Sequence, residues 1–249
     1  MAARQGREVV VVEHCSQSDM CDISFVIPVL NDAQQLRELL QILKPQSLTS
    51  EVIVVDGSST DDSYAVGKQM ADVCIKTEAG RATQMNAGAM VAKGSMLVFV
   101  HADTRLYGDA LQHLEKVVTK VDSEQSVWGY FAVKLSGRHW LLRCVEWMMN
   151  RRSRLSHIGT GDQTLFVAAK LFNKVNGFPR VALMEDISIC AQLKQHSSPI
   201  FLHTPVVTSS RRWESQGVWR TIFKMWRLRL AYWLGVDAAR LAAIYYARD

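Results

Sequence analysis

Cysteine is scarce and unpaired in this chain. Its five thiols in 249 residues (Cys15, Cys21, Cys74, Cys144, Cys190) are odd in number and scattered, with no C-x-x-C pair. A disulfide framework or a cysteine-built zinc or redox centre is thereby excluded, and buried thiols in a reducing compartment are expected. Long apolar runs are missing as well. The best candidate, near the carboxyl end, is broken by Arg229, Asp237 and Arg240, short of the roughly 18 residues that read as a bilayer span. Val9 to Val12 is too short for the core of a signal peptide. The expected location is cytoplasmic. Glycine is absent where two nucleotide motifs need it. Pro28-Val29-Leu30-Asn31 stands where a Rossmann fingerprint would bring backbone close to a pyrophosphate, and Lys93-Gly94-Ser95 lacks the preceding cradle of a P-loop. His101-Ala102-Asp103-Thr104 carries a histidine where a phosphatase-type nucleophile loop would carry its attacking aspartate.

What is present is an ordinary globular composition, 48% hydrophobic and 21% charged, in a length that suits one domain. The net charge of +5 is concentrated at one end: from Pro205 onward eight basic residues face three acidic ones, which accounts for the whole excess. A negatively charged partner is implied, either a phosphorylated ligand or an anionic membrane surface. No nucleic-acid partner is expected.

Hydrophobic patterning predicts a β-α-β-α-β alternation over the first hundred residues. A strand over 23–30 is marked at its end by Pro28; Asn31 or Asp32 caps a helix whose Leu36, Leu39, Leu40 and Leu43 share one face. Strands follow at 52–55, 73–75 and 96–100, with a helix after the Asp56 loop and another over 80–93. Such an alternation predicts an α/β fold, a mostly parallel central sheet with helices on both faces. Strands at 127–135 and 164–168 and helices at 139–152 and 186–195 are expected in the second half. Residues 1–21 show no periodicity and are expected to be a loose extension, with the main domain over 22–225 and an amphipathic helical tail over 226–249, packed on the domain or at a membrane surface.

Two apolar runs end abruptly in polar residues: Val52-Ile53-Val54-Val55 in Asp56-Gly57-Ser58, and Met96 to Val100 in His101-Ala102-Asp103-Thr104. In open α/β sheets the crevice at the carboxyl ends of the strands is where ligands sit. Four segments, Ile27-Pro28-Val29-Leu30-Asn31-Asp32, Val54 through Asp61, Gly94 through Asp103, and Met184-Glu185-Asp186, together resemble the family 2 inverting nucleotide-sugar glycosyltransferases. The resemblance covers about residues 23 to 225. It implies the glycosyltransferase A-type fold, a single Rossmann-like domain. Gly80 through Gly88, His101 to Thr104 and Gly161-Asp162-Gln163 look like a small soluble bacterial subgroup of unassigned substrate.

The resemblance implies that Asp56 accepts hydrogen bonds from uracil or a similar base, with Pro28, Asn31, Asp32, Ser58 and Ala102 in the nucleotide-sugar site. Asp-Gly-Ser-Ser is also good turn chemistry, and Asp32 is equally a helix cap. Asp103 is expected to hold a divalent cation, Mn2+ or Mg2+, that neutralises the departing diphosphate. The family pattern there is D-x-D, and His101 in the first place favours manganese by ligand softness; a phosphate or base contact is the other reading of His101. Arg81 at a helix start, with Asn86 on the same helix, suits phosphate or ribose contact. Glu185 and Asp186 open a helix, and the resemblance favours Asp186 as general base. Acids at a helix start also complement its dipole. Asp162 and Gln163 are candidates for sugar or acceptor hydroxyls. Arg211-Arg212-Trp213 resembles the element that processive members place over the diphosphate and acceptor; Ser209 replaces their glutamine, and no membrane spans follow, which disfavours a polymer synthase. Trp219, Trp226 and Trp233 fall seven apart on one stripe with Ile222, Phe223 and Leu230, readable as core or as an interfacial face.

The expected function is metal-assisted, inverting transfer of one sugar from a nucleoside-diphosphate donor, UDP-linked by preference, to an acceptor that is lipid-linked or a small molecule. Peripheral contact with the inner membrane face is the corresponding expectation for the tail. The alternatives are a sugar nucleotidyltransferase, which normally carries a glycine-rich, lysine-bearing loop absent here, and a non-catalytic nucleotide-sugar or membrane-surface binding module.

Overall fold

A computed structural model describes residues 22–43, 49–120 and 126–246; the extension expected over 1–21 lies outside these, as does the side chain of Arg212. The first half runs β1 (Ile23–Val29), α1 (Ala33–Leu43), β2 (Ser50–Asp56), α2 (Ser63–Met70), β3 (Val73–Lys76), α3 (Arg81–Val91) and β4 (Met96–Phe99). β1 pairs in parallel with β2 on one side and β4 on the other, and β3 pairs in parallel outside β2. Pro28 does not end β1. The strand continues to Val29, with Pro28 opposite Val55 of β2. β4 accompanies β1 only to Phe99, after which the Val100 N–H donates to the Val26 carbonyl. Pro28 lies two residues beyond Val26 and so faces the same side, where no further ladder bond is lost.

The second half contributes β5 (Thr104–Arg105), α4 (Gly108–Lys120), β6 (Trp128–Leu135), α5 (Trp140–Ser156), a 3-10 turn (Gly161–Gln163), β7 (Leu165–Ala168), α6 (Ala169–Lys174), α7 (Glu185–Leu193), β8 (Ile200–Thr208), α8 (Arg211–Gln216), α9 (Val218–Trp233) and α10 (Ala238–Tyr246). The eight strands form one sheet in the order β3-β2-β1-β4-β7-β6-β8-β5. β7 enters antiparallel between β4 and β6, and β6 pairs in parallel with β8. The sheet is thus parallel through its first half and mixed beyond β4, in keeping with the mostly parallel α/β sheet expected.

Each sheet face buries its own layer. On one, Phe25, Ile27 and Val29 meet Leu36, Leu39, Leu40 and Leu43 of α1 and Leu111 and Leu114 of α4. On the other, Val26, Ile53 and Val55 meet Ala82 and Met85 of α3 and Ile189, Cys190 and Leu193 of α7. Each fully buried leucine or isoleucine stabilises by about 1.5–3 kcal/mol relative to exposure, so α1 is held by its leucine stripe. α9 and α10 form a smaller layer through Leu228, Leu241, Ala242 and Tyr245, which pack on Leu183 and Met184 at the start of α7. The domain boundary expected after residue 225 falls inside α9. The tryptophans of the stripe are not core: Trp219, Phe223, Trp226, Leu230 and Trp233 are 58–80% exposed, whereas Ile222 is partly buried against Leu135, Leu142 and Val145. The inward face of α9 is instead Thr221 and Leu228, with Met225 and Tyr232 partly buried.

Candidate active site

Parallel register brings the ends of β1, β2 and β4 to one edge of the sheet. Asp56, the last residue of β2, is fully buried. Its Oδ2 accepts from the Ser59 N–H at 3.1 Å, whereas Oδ1 is buried and has no hydrogen-bond partner among the described residues. A buried, unsatisfied carboxylate oxygen is costly and calls for a donor. The loops around it are braced. Gln84 Nε2 donates to the Val29 and Val55 carbonyls at 2.9 and 2.8 Å, fastening the ends of β1 and β2 together. Asn31, in the left-handed region at φ 53, accepts on Oδ1 from the Thr60 N–H at 2.8 Å. Ser58, at φ 66, donates its hydroxyl to the Thr77 carbonyl at 2.8 Å. Asp32 Oδ2 accepts from Arg211 Nη2 at 2.7 Å, joining the loop after β1 to α8.

A second group of polar side chains meets in a cleft of about 160 Å3, lined by Arg81, His101, Asp103, Asp162, Glu185 and Asp186. His101 leaves the end of β4 with its ring against Gly161, where any Cβ would collide with the imidazole. Burial, and secondarily Arg81, pushes its pKa down to about 3, so the ring is neutral at pH 7. Its Nδ1 lies 3.9 Å from Asp162 Oδ1. Burial and then the nearby Asp103 charge push Asp162 up to about 6. Asp103 is itself raised, by burial first and Asp32 second. Burial and then Asp186 push Glu185 up to about 7. Arg81 is the cation that opposes the rise at Asp103, Asp162 and Glu185 alike. The Asp186 carboxylate is fixed at both oxygens, Oδ2 accepting from the Gly161 N–H at 3.0 Å and Oδ1 from the Ile187 N–H at 2.8 Å.

Several expected contacts fall elsewhere. Asn86 receives the Phe178 N–H on Oδ1 and donates Nδ2 to the Phe178 carbonyl, at 2.9 and 2.8 Å, so its amide clamps a turn and does not face a nucleotide. Gln163 is fully buried, donating to the Phe131 carbonyl and the Ser153 hydroxyl, and so cannot bond a sugar. The Ala102 methyl lies in the core, and Pro28 is buried within β1. Asp56 does not line the cleft that holds Asp103 and Asp186; Asp32 connects the two regions through its charge on Asp103 and its bond to Arg211. A larger hollow of about 500 Å3 between α5 and β8, lined by Trp147, Arg151 and Arg154, has no carboxylate in its walls.

Residues 24–174 match the family model described as glycosyl transferase family 2. The chain belongs to this family. The matched span carries β1 through β7 and ends before α7, so Glu185 and Asp186 lie beyond it. Among relatives of this family 2 chain, the uncharacterized glycosyltransferase YibD of Escherichia coli K12 is 30% identical over 92 residues, 34% of this chain and 27% of that protein. Glycosyltransferase GlyG of Streptococcus pneumoniae is 29% identical over 117 residues, 44% of this chain and 39% of its own length. The chain thus matches well under half of either relative. The fold is that of S. aureus TarS 1-349, solved also with UDP-GlcNAc (TM-score 0.60, 18% identity, 76% of this chain and 59% of that one). The mannosyltransferase PcManGT of Pyrobaculum calidifontis, solved with GDP-Man and Mn2+, matches equally (TM-score 0.60, 21% identity, 85% and 61%).

Among the described residues no three His, Cys, Asp or Glu side chains are grouped to enclose a metal ion. The donor set nevertheless suits a cation held from one side. A neutral imidazole, His101, stands with the Asp103 and Asp162 carboxylates, and the Asp103 charge raises the proton affinity of Asp162; hard cations commonly take one or two carboxylates with substrate phosphates completing the shell. Trp213 of α8, a candidate from the sequence, lines the cleft, but sequence reasoning missed Thr221, Met225 and Arg229 of α9, which line it as well. The Arg229 Nε is buried without a partner among the described residues. Its only sequence signal is a basic residue interrupting an apolar stretch.

Proposed function

We propose that this family 2 chain transfers a single sugar, with inversion, from a nucleoside-diphosphate donor to an acceptor hydroxyl, with Asp186 as general base. The observation that carries the reading is the convergence of Asp103, Asp162, Glu185 and Asp186 around Arg81 in one cleft at the carboxyl edge of the sheet. Asp56, with its unsatisfied oxygen, is the seat for the donor's base, and a uracil N–H would satisfy it. Arg81 and Arg211 offer guanidinium donors to the diphosphate, and Asp162, a lining residue of the cleft, bonds a sugar hydroxyl in this reading. In the reaction the acceptor O–H gives its proton to Asp186 as the oxygen attacks the anomeric carbon from the face opposite the diphosphate. The bond from anomeric carbon to phosphate oxygen breaks, and the nucleoside diphosphate leaves with the electron pair. Asp103 and His101 would hold a divalent cation, manganese by preference over magnesium, whose charge offsets that of the leaving group.

Glu185 supports a second reading of the base, because a pKa pushed up to about 7 is well matched to proton transfer near neutrality. Two variants separate the readings in assays of donor turnover and nucleoside-diphosphate binding. Asp186→Asn is expected to lose about 10²–10⁴ in rate, the usual worth of general-base catalysis, while binding the nucleotide as before; Glu185→Gln should lose far less. The opposite pattern gives the base to Glu185, and full activity in both variants removes this mechanism. Chelator should weaken diphosphate affinity, and indifference to it would dismiss the cation at Asp103 and His101. Nucleotidyl transfer is disfavoured because the loop after β1 carries no glycine-rich, lysine-bearing segment and is tied to Ser59 and Thr60 through Asn31.

A further inference from the structure

α9 presents two unlike faces. Thr221, Met225 and Arg229 line the cleft, and the outward side carries Trp219, Phe223, Trp226, Leu230 and Trp233, extended by Leu234 and by Ile244 of α10, each 45–80% exposed. Arg220, Lys224 and Arg227 stand beside Phe223 and Ile244 around a surface groove of about 460 Å3. α9 contains four basic residues and no acidic one. We propose that this aromatic and basic face docks the protein on an anionic lipid surface, and that the acceptor is therefore a membrane-held molecule; only this second part rests on the function proposed above.

Charge complementarity and side-chain chemistry select the occupant. Tryptophans with flanking arginines and lysine suit the headgroup region, where an apolar body meets a wet boundary and anionic lipids attract cations. Nucleic acid would use the cations but leave Phe223, Leu230, Leu234 and Ile244 in water. A second copy of the chain would set the acid-free α9 against an equally basic partner. A lipid-held acceptor would also need to cross only about one helix diameter, 10–12 Å, to reach from the docked face to the cleft behind it.

The test is co-sedimentation of the full chain with phosphatidylcholine vesicles, with and without phosphatidylglycerol, read alongside tryptophan fluorescence. Binding to the anionic vesicles with a blue shift is expected, weakening with salt. Arg220→Gln/Lys224→Gln/Arg227→Gln should weaken it on the order of a hundredfold, at about fivefold per cation. Trp226→Ser/Trp233→Ser should abolish the blue shift. Nucleoside-diphosphate binding should stay unchanged in both variants, which reports an intact fold and separates failure here from failure of the transferase reading. The proposal is overturned if the wild-type chain stays free of both vesicle types, or if both variants bind vesicles as the wild type does. Self-association lost on the tryptophan changes without vesicle binding would assign the face to a second copy, and equal affinity for RNA would assign it to nucleic acid; either overturns the proposal.

Discussion

Asp56 illustrates how a single residue can be read in two ways until its oxygens are counted separately. Oδ2 closes the turn to Ser59, as local turn chemistry requires, while Oδ1 is left over. Asp56→Asn keeps an acceptor for the Ser59 N–H but presents an amide N–H in place of the spare oxygen. Donor KM should rise at least about tenfold, since a hydrogen bond to a charged group contributes about 1.5–3 kcal/mol, with kcat little changed and stability retained. Steady-state kinetics with the preferred nucleotide-sugar check this. An unaltered KM would leave Asp56 a turn former. Asp103 and His101 were legible for the same reason as Asp56: each follows an unbroken apolar strand. Arg229 was not, because only the packing of α9 against α7 turns it inward.

At the scale of elements, the turn at Gly161 organises the cleft from two sides. Its N–H holds Asp186, and its missing Cβ leaves room for the His101 ring. Gly161→Ala must displace one or the other, and overpacking of this kind typically costs about 1–3 kcal/mol. A lower melting temperature together with loss of manganese-dependent nucleoside-diphosphate binding is expected; calorimetric titration with and without manganese measures it, and binding indistinguishable from wild type would refute it. The elements themselves were unevenly readable. The leucine spacing of α1 and the apolar runs of β1, β2 and β4 fixed the parallel half-sheet from local pattern alone. β8 was hidden by Pro205, which sits where the pairing with β6 jumps from Leu202 opposite Phe131 to Pro205 opposite Ala132, an irregularity that local pattern does not foretell. α4 carries Leu111 and Leu114 at helical spacing and went unread beside the stronger signals. The tryptophan stripe had a helical period, but period does not say which face of a helix finds a partner.

For the whole molecule, the buried acids make stability depend on pH. Glu185 rises from 4.5 to about 7 on folding, chiefly through burial, so the native state binds its proton more tightly than the unfolded chain. Stability associated with this group is full below about pH 4.5, falls as pH rises toward 7, and levels off above. Glu185→Gln carries an uncharged group at every pH. In chelator-containing buffer its melting temperature should match that of the wild type near pH 4.5 and exceed it increasingly up to about 7, with a constant gap beyond. Parallel melting curves across that range would mean that Glu185 titrates normally. Comparing the two proteins at each pH cancels the opposite contribution of His101, whose lowered pKa removes stability as pH falls.

The insertion of β7 between β4 and β6 has a consequence for biosynthesis. β4 emerges from the ribosome with β1 as its neighbour on one flank, but its other flank waits for Leu165–Ala168, more than sixty residues later. At roughly 5–20 residues per second this leaves an apolar ribbon, Met96-Leu97-Val98-Phe99, unpaired on the nascent chain for several seconds. Fragments truncated before Leu165 keep that ribbon bare permanently and should aggregate, whereas those that retain β7 close it.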